Sequence, residues 1–304
     1  MTDESTTSTR LTTGTPVDLP LQVSFGIGGL LVPASYRRLV GLLPESLTPV
    51  SLLPGVGAVA LAGIQYHRVG TGSDWNRNGG TSDTDPKSTF EPYDEFAAIV
   101  PCRLRTTDRN RGRRTRRAPE TDGQWLDAVI EKPVRWLLDR LPLPGSNGGI
   151  GGYVEWLPVT TDESVTLGRE VWGYPKERAD ITVTDGPGVF RTVVRVGSGT
   201  PLQLDVARPR LRGERTRTLS LDSYTIKEGM ILRSAVEIRG RIVIGTGSGC
   251  TLRGDLDETP LRSLGIWNRP LVGFTGSRLE ASLADGEPVA ASERWIPVRR
   301  ESVD

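Results

Sequence analysis

One lysine in this chain stands where an amine can do chemistry. The stretch GREVWGYPK runs from Gly168 to Lys176 and sets that lysine directly after a Tyr174–Pro175 step, with Trp172 close by. Proline fixes its own φ near about −65° and pushes the preceding residue towards extended backbone, so local geometry positions the lysine backbone. Lysine is also scarce: Lys87, Lys132, Lys176 and Lys227 are the lysines within a total of 38 Lys and Arg. Arginine keeps its proton, whereas lysine can release it and attack a ketone as the neutral amine. An unperturbed lysine titrates at about 10.4, so this role calls for burial or a neighbouring cation. The protonated imine that results is an electron sink for a bond breaking beside it.

Other chemistries are narrowed by composition. His67 is the single histidine. That excludes a metal site built from several histidines, and any Ser-His or Cys-His pair that does not use it. At the end of a strand pattern, His67 reads as a partly buried structural residue, with a proton shuttle as the alternative. Cys102 and Cys250 make neither a disulfide scaffold nor a zinc cluster. The GTGSG run at 245–249 has no Gly-Lys-Ser/Thr and no helix pattern after it, so it reads as a turn. A net charge of +1 argues against nucleic acid or acidic membranes as partners. The arginines between 103 and 117 are diluted with Thr, Asp and Gly and read as a solvated loop. The apolar run at 50–64 is shorter than the roughly 20 residues a membrane helix needs, and Pro54 interrupts it. With an acidic, hydroxyl-rich N-terminus lacking an apolar signal core, a soluble cytoplasmic protein is expected.

The elements that must hold Lys176 are mostly strands. Residues 21–33 and 55–67 are apolar and rich in small residues, which suit close approach of another backbone or of a ligand. Residues 96–104, 153–160, 179–184, 189–196, 202–207, 219–226, 231–244 and 279–283 continue the strand pattern, with Asp185-Gly186 closing a hairpin. Ser35 is a candidate N-cap for a helix that ends before Pro44. Residues 1–16 read as a disordered tail, 71–92 as a loop of low order, 103–152 as a basic and helical insertion, and 291–304 as a C-terminal tail. The insertion carries Trp125 and Trp136 on a helical pattern that suits packing on a neighbouring subunit or capping the pocket, with contact to a membrane surface as a minor option. A single domain over 17–290 follows: mainly β (α+β), an antiparallel β-sandwich or barrel with a few short helices.

The lysine motif, with YVEWLPVTTDESVTL ahead of it, resembles the acetoacetate decarboxylase family. Two further segments match in family order: Tyr93-Asp94-Glu95-Phe96 before the strand AAIVP, and Leu42-Leu43-Pro44-Glu45-Ser46-Leu47. The resemblance implies that Lys176 forms a Schiff base with a small β-keto or α-oxo acid and that Glu95 is its acid/base or orienting group. It implies a cofactor-independent, metal-free lyase, a homo-oligomer, and decarboxylation of an acetoacetate-like acid to ketone and CO2 as the leading reaction. Aldol condensation with dehydration, and a non-catalytic binding barrel, are the alternatives. Gln65, Tyr93, Arg169, Trp172 and Tyr174 are the candidate substrate-binding residues. Two departures stand out. Glu177 follows Lys176 where the family has a second lysine, which leaves Arg169 and Arg178 as replacement cations. The windows that carry a family arginine and a second acid read FGIGGL at 25–30 and GVGAVALAGIQ at 55–65.

Overall fold

The computed structural model describes residues 7–71, 89–105, 150–197, 199–208 and 217–292. In chain order the strands are β1 (Thr7–Arg10), β2 (Pro16–Leu19), β3 (Leu21–Ser35), β4 (Leu47–Pro49), β5 (Ser51–Leu53), β6 (Val56–Thr71), β7 (Asp94–Leu104) and β8 (Ile150–Val159). After them come β9 (Lys176–Arg178), β10 (Asp180–Asp185), β11 (Val189–Arg195), β12 (Leu202–Ala207), β13 (Arg217–Lys227), β14 (Met230–Gly240), β15 (Ile242–Thr246), β16 (Thr251–Arg253) and β17 (Val272–Ala291). Helix α1 spans Tyr36–Leu42 and helix α2 spans Asp162–Trp172.

Seven strands close a barrel. β7, β6, β3, β17, β14, β13 and β8 pair in that order, and β8 returns to β7. The wall is antiparallel except where β13 meets β8, and β9 joins β8 in parallel as well. A separate antiparallel sheet, β10-β11-β12-β16, packs on the wall. The mainly β architecture expected from the alternation is therefore the one observed. It combines barrel and layered sheet, with parallel joins confined to β8.

Strand alternation sends side chains to two separate cores. Along β7, Phe96, Ala98, Val100 and Cys102 enter the cluster shared with the four-stranded sheet. Ala97 faces the opposite way, into a cluster with Leu167, Val171 and Trp172 of α2. Glu95 shares the parity of Ala97, so it too is directed away from the covering sheet.

The small residues of β3 and β6 have one use here. A Cβ on Gly28 would lie 2.2 Å from the Phe190 ring, and one on Gly63 would lie 1.7 Å from Thr192 Oγ1. Both neighbours belong to β11, so this face of the wall is thinned to admit the second sheet.

Several boundaries move. Residues 7–16, expected in a disordered tail, contribute β1 and the turn into β2; register pairing holds the hairpin, and Leu11 and Val17 are buried. Phe90, expected in a loop of low order, is buried and bridges to Val69. Residues 103–104 and 150–152 belong to strands, so the insertion begins and ends inside the expected limits. The expected insertion helix, the arginine run beyond residue 105 and the far C-terminal tail lie outside the described residues. Residues 162–172, not read as a helix, form α2. The signals are Thr161, whose hydroxyl accepts from the Ser164 N–H, two acids in the first turn, and Gly173 at φ 68° closing the helix. Ser35 stands at the N-cap position of α1, but its side chain makes no capping bond. No helix among the described residues is long and apolar enough to cross a membrane.

The thinned wall is testable. Gly63→Ala should lower stability in urea unfolding by about 1–3 kcal/mol through overpacking against Thr192. Thr192→Ala in the same chain should return much of that loss, because the Thr192 hydroxyl is buried without a hydrogen-bond partner.

Candidate active site

Lys176 enters the core at the point where α2 gives way to β9. Gly173 takes the left-handed conformation, and its N–H and that of Tyr174 return to the carbonyls of Arg169 and Gly168. Thr225 donates its hydroxyl to the Trp172 carbonyl at 2.6 Å, and Lys227 donates its ammonium to the Glu170 and Val171 carbonyls. These bonds occupy carbonyls that a helix end otherwise leaves open. The Arg169 guanidinium donates from Nε to the Lys176 carbonyl at 2.7 Å. Backbone pairing of Lys176 with Leu157 then aims the side chain towards β7.

Gly168 makes room for it. A Cβ at this helix position would lie 2.5 Å from Lys176 Cδ and 2.7 Å from Cε. The aliphatic stem of the lysine thus lies across the helix backbone, and no other residue type leaves that path open.

The amine ends against a carboxylate. Lys176 Nζ is 2.8 Å from Glu95 Oε2, and both residues are at most 5% exposed. Nζ also donates to the Tyr93 hydroxyl at 3.3 Å and lies 5.0 Å from that ring's centre. Tyr66 donates to the other carboxylate oxygen of Glu95 at 3.4 Å. The Tyr66 and Tyr93 rings are 4.5 Å apart, and Phe25 packs on Tyr66 at 5.8 Å. Tyr174 is buried beside them and donates its hydroxyl to Ser223.

Protonation follows from this packing. Burial alone would push the Lys176 ammonium down. The Glu95 carboxylate, with Tyr93 beside it, outweighs burial and holds the ammonium above the ordinary lysine value. Burial raises the Tyr93 phenol to about 12 despite the nearby ammonium. Burial, then the Glu95 charge, lifts Tyr66 well above its usual value, and burial also raises Tyr174. At neutral pH the resting site is an ammonium–carboxylate pair ringed by neutral phenols.

The structure brings together Lys176, Glu95, Tyr93 and Tyr174, and adds Tyr66, Phe25 and Gly168, which sequence reasoning missed. Period-2 alternation in β6 is the signal that could have found Tyr66, since it shares a face with Ile64, the direct partner of Glu95. Other candidates fall elsewhere. Gln65 sits on the opposite face of β6 and bonds Asp94, whose carboxylate also accepts from the Val183 N–H. His67 is exposed on that same face, so a shuttle to Lys176 has no geometry. Arg169 is committed to the backbone, and Arg178 pairs on the surface with Asp162 at 3.7 Å. Trp172 lies in the same core, but its indole N–H is taken by the Ala284 carbonyl. Glu177, one residue on, points away and accepts from the Trp156 indole N–H. A cleft of about 790 Å³ lined by Arg38, Glu155, Thr259 and Arg262 among others contains none of the residues of the Lys176 cluster.

A protein-family model for acetoacetate decarboxylase (ADC) matches residues 32–223. No curated protein sequence matches the chain. Among solved structures it is similar to acetoacetate decarboxylase from Legionella pneumophila, at 14% identity and a TM-score of 0.54, over 90% of this chain and 88% of that one. It is also similar to the enduracididine biosynthesis enzyme MppR in complex with the condensation product of pyruvate and imidazole 4-carboxaldehyde. There the identity is 13% and the TM-score 0.55, over 95% of this chain and 99% of that one. At these identities the likeness to solved structures is one of fold.

Two outcomes follow from the geometry. Glu95→Gln removes the charge that holds the ammonium up and leaves burial to push it down. The pH at which Lys176 becomes reactive to a carbonyl reagent should then fall by about one unit or more, read from the pH dependence of borohydride trapping. Gly168→Ala should slow trapping by about 10- to 100-fold by displacing the lysine stem. The same change at an exposed helix position would leave trapping untouched.

Proposed function

This chain belongs to the acetoacetate decarboxylase family, and on that premise we propose that it is a Schiff-base-forming lyase acting on a small oxo acid through Lys176. The observation that carries the reading is a lysine, 5% exposed, whose Nζ lies 2.8 Å from a buried carboxylate among apolar and aromatic side chains. A buried ammonium needs a partner in good geometry, and Glu95 supplies it. A carbonyl substrate turns the same pair into a nucleophile and a base.

Glu95 takes a proton from the ammonium, and the neutral amine attacks the keto carbon. Water leaves and the protonated imine forms. With a β-keto acid, the electrons of the bond to the carboxylate move into the iminium, CO2 departs, and an enamine remains. Protonation at carbon and hydrolysis release the ketone. Tyr93, whose phenol keeps its proton to about 12, is placed to hydrogen-bond the substrate oxygen during attack. Tyr174 and Tyr66 close the polar side of the site.

Aldol condensation with dehydration is the second reading. It is supported by the likeness in fold to MppR, solved with the condensation product of pyruvate and imidazole 4-carboxaldehyde.

Borohydride trapping with acetoacetate and with pyruvate, followed by peptide mapping, tests the proposal. The expected result is a reduced adduct on Lys176 that vanishes in Lys176→Met. That substitution strands Glu95, so Lys176→Met/Glu95→Gln is the control for folding. It should regain much of the roughly 3–5 kcal/mol that breaking a buried pair costs. CO2 release from acetoacetate supports decarboxylation, whereas aldehyde incorporation with pyruvate supports the aldol reading. Binding with no adduct anywhere identifies a binding barrel and refutes the enzyme.

A further inference from the structure

We infer that adduct formation with a carboxylate substrate draws one proton from solution, that this leaves Glu95 protonated as the acid for the enamine carbon, and that a second carboxylate is refused. The inference rests on the Schiff-base reading above and extends it by counting charge in the site.

The count is short. Lys176 from β9 and Glu95 from β7 are the charged groups that act on the three tyrosine hydroxyls around them. Those hydroxyls come from β6, from the residue before β7 and from the α2–β9 joint, and burial keeps all three neutral at ordinary pH. Among the described residues, Phe25 of β3, Leu157 of β8, Leu167 of α2 and Leu279 of β17 also pack on this core, and the uncharged Ser223 of β13 accepts from Tyr174. Arg169 gives its Nε–H to a backbone carbonyl. Among the described residues the resting site is therefore neutral, with one cation matched to one anion.

A neutral ketone preserves that balance. An ammonium and a ketone become an iminium and water with no change of charge. A monocarboxylate does not preserve it, because iminium, Glu95 carboxylate and substrate carboxylate sum to a net negative charge in a dry core. Uncompensated buried charge is expensive, and the group that can neutralise it is Glu95. The balanced step starts from the Lys176 ammonium, the Glu95 carboxylate, the oxo acid and a proton from solution. It yields the iminium, the Glu95 carboxylic acid and water. Glu95 takes one proton from nitrogen. The departing oxygen takes a second from nitrogen and the third from solution. When CO2 leaves, the iminium becomes a neutral enamine. The Glu95 acid then gives its proton to the enamine carbon, the nitrogen lone pair regenerates the iminium, and water releases the ketone. A dicarboxylate leaves one anion unmatched even after Glu95 is protonated.

Pyruvate, acetone and 2-oxoglutarate separate the cases, since none has a carboxylate that the imine can expel. Proton uptake is followed at pH 7 in weakly buffered solution with an indicator dye, and adducts are counted by borohydride trapping. Pyruvate should take up about one proton per Lys176 adduct and acetone none. 2-Oxoglutarate should be trapped about 100-fold more slowly than pyruvate, or less. A pyruvate adduct with no uptake in the unaltered protein overturns the inference while leaving the Schiff base intact. So does 2-oxoglutarate trapped as readily as pyruvate. Absence of any Lys176 adduct removes the inference together with the reading it rests on.

Discussion

The pair between Lys176 and Glu95 is the constraint around which this molecule is organised. Two charges at 2.8 Å, each taken out of water, offset their desolvation only with close geometry and support on every side. The support is visible. Tyr93 meets the ammonium and Tyr66 meets the carboxylate. A barrel wall keeps Glu95 on the face away from the covering sheet. Were either partner displaced, the other would be left as an uncompensated charge.

Helix α2 does the placing, and it does so through contacts that have little to do with propensity. Thr161 starts the helix, Gly173 stops it, and the loop end of the β13–β14 hairpin supplies Lys227 to its last carbonyls. Gly168 is an unfavourable residue for a helix interior, at a cost of about 1 kcal/mol relative to alanine. It is kept because the lysine stem lies where a methyl group would be. The same device appears twice more on the other face of the wall, at Gly28 and Gly63, where it admits side chains of a second sheet. Close approach, rather than turn geometry, explains these three glycines.

The departures from the family motif look less disruptive in three dimensions than in one. Glu177 adjoins Lys176 in sequence, and a carboxylate there would oppose nucleophilicity. Strand parity turns it to the opposite face, where it binds the Trp156 indole. The opposition comes instead from Glu95, about eighty residues earlier in the chain. On the proposed reading, Glu95 is the base that receives the proton when a carbonyl meets Lys176.

Periodicity and local chemistry determined much of this protein by themselves. Alternating apolar residues specified a mainly β chain, Asp185-Gly186 specified a hairpin, and the Tyr-Pro-Lys step with Tyr93-Asp94-Glu95 marked both members of the buried pair. These features are local, so neighbouring residues suffice to reveal them. Closure of the barrel, the parallel joins at β8, the hairpin over residues 7–19 and the exclusion of Gln65, His67 and Arg169 from the Lys176 cluster were decided by the tertiary structure. Each depends on which face of a strand is buried and on what lies across it. A single sequence carries the alternation but not the partner, because register and layer contacts join residues tens to hundreds of positions apart.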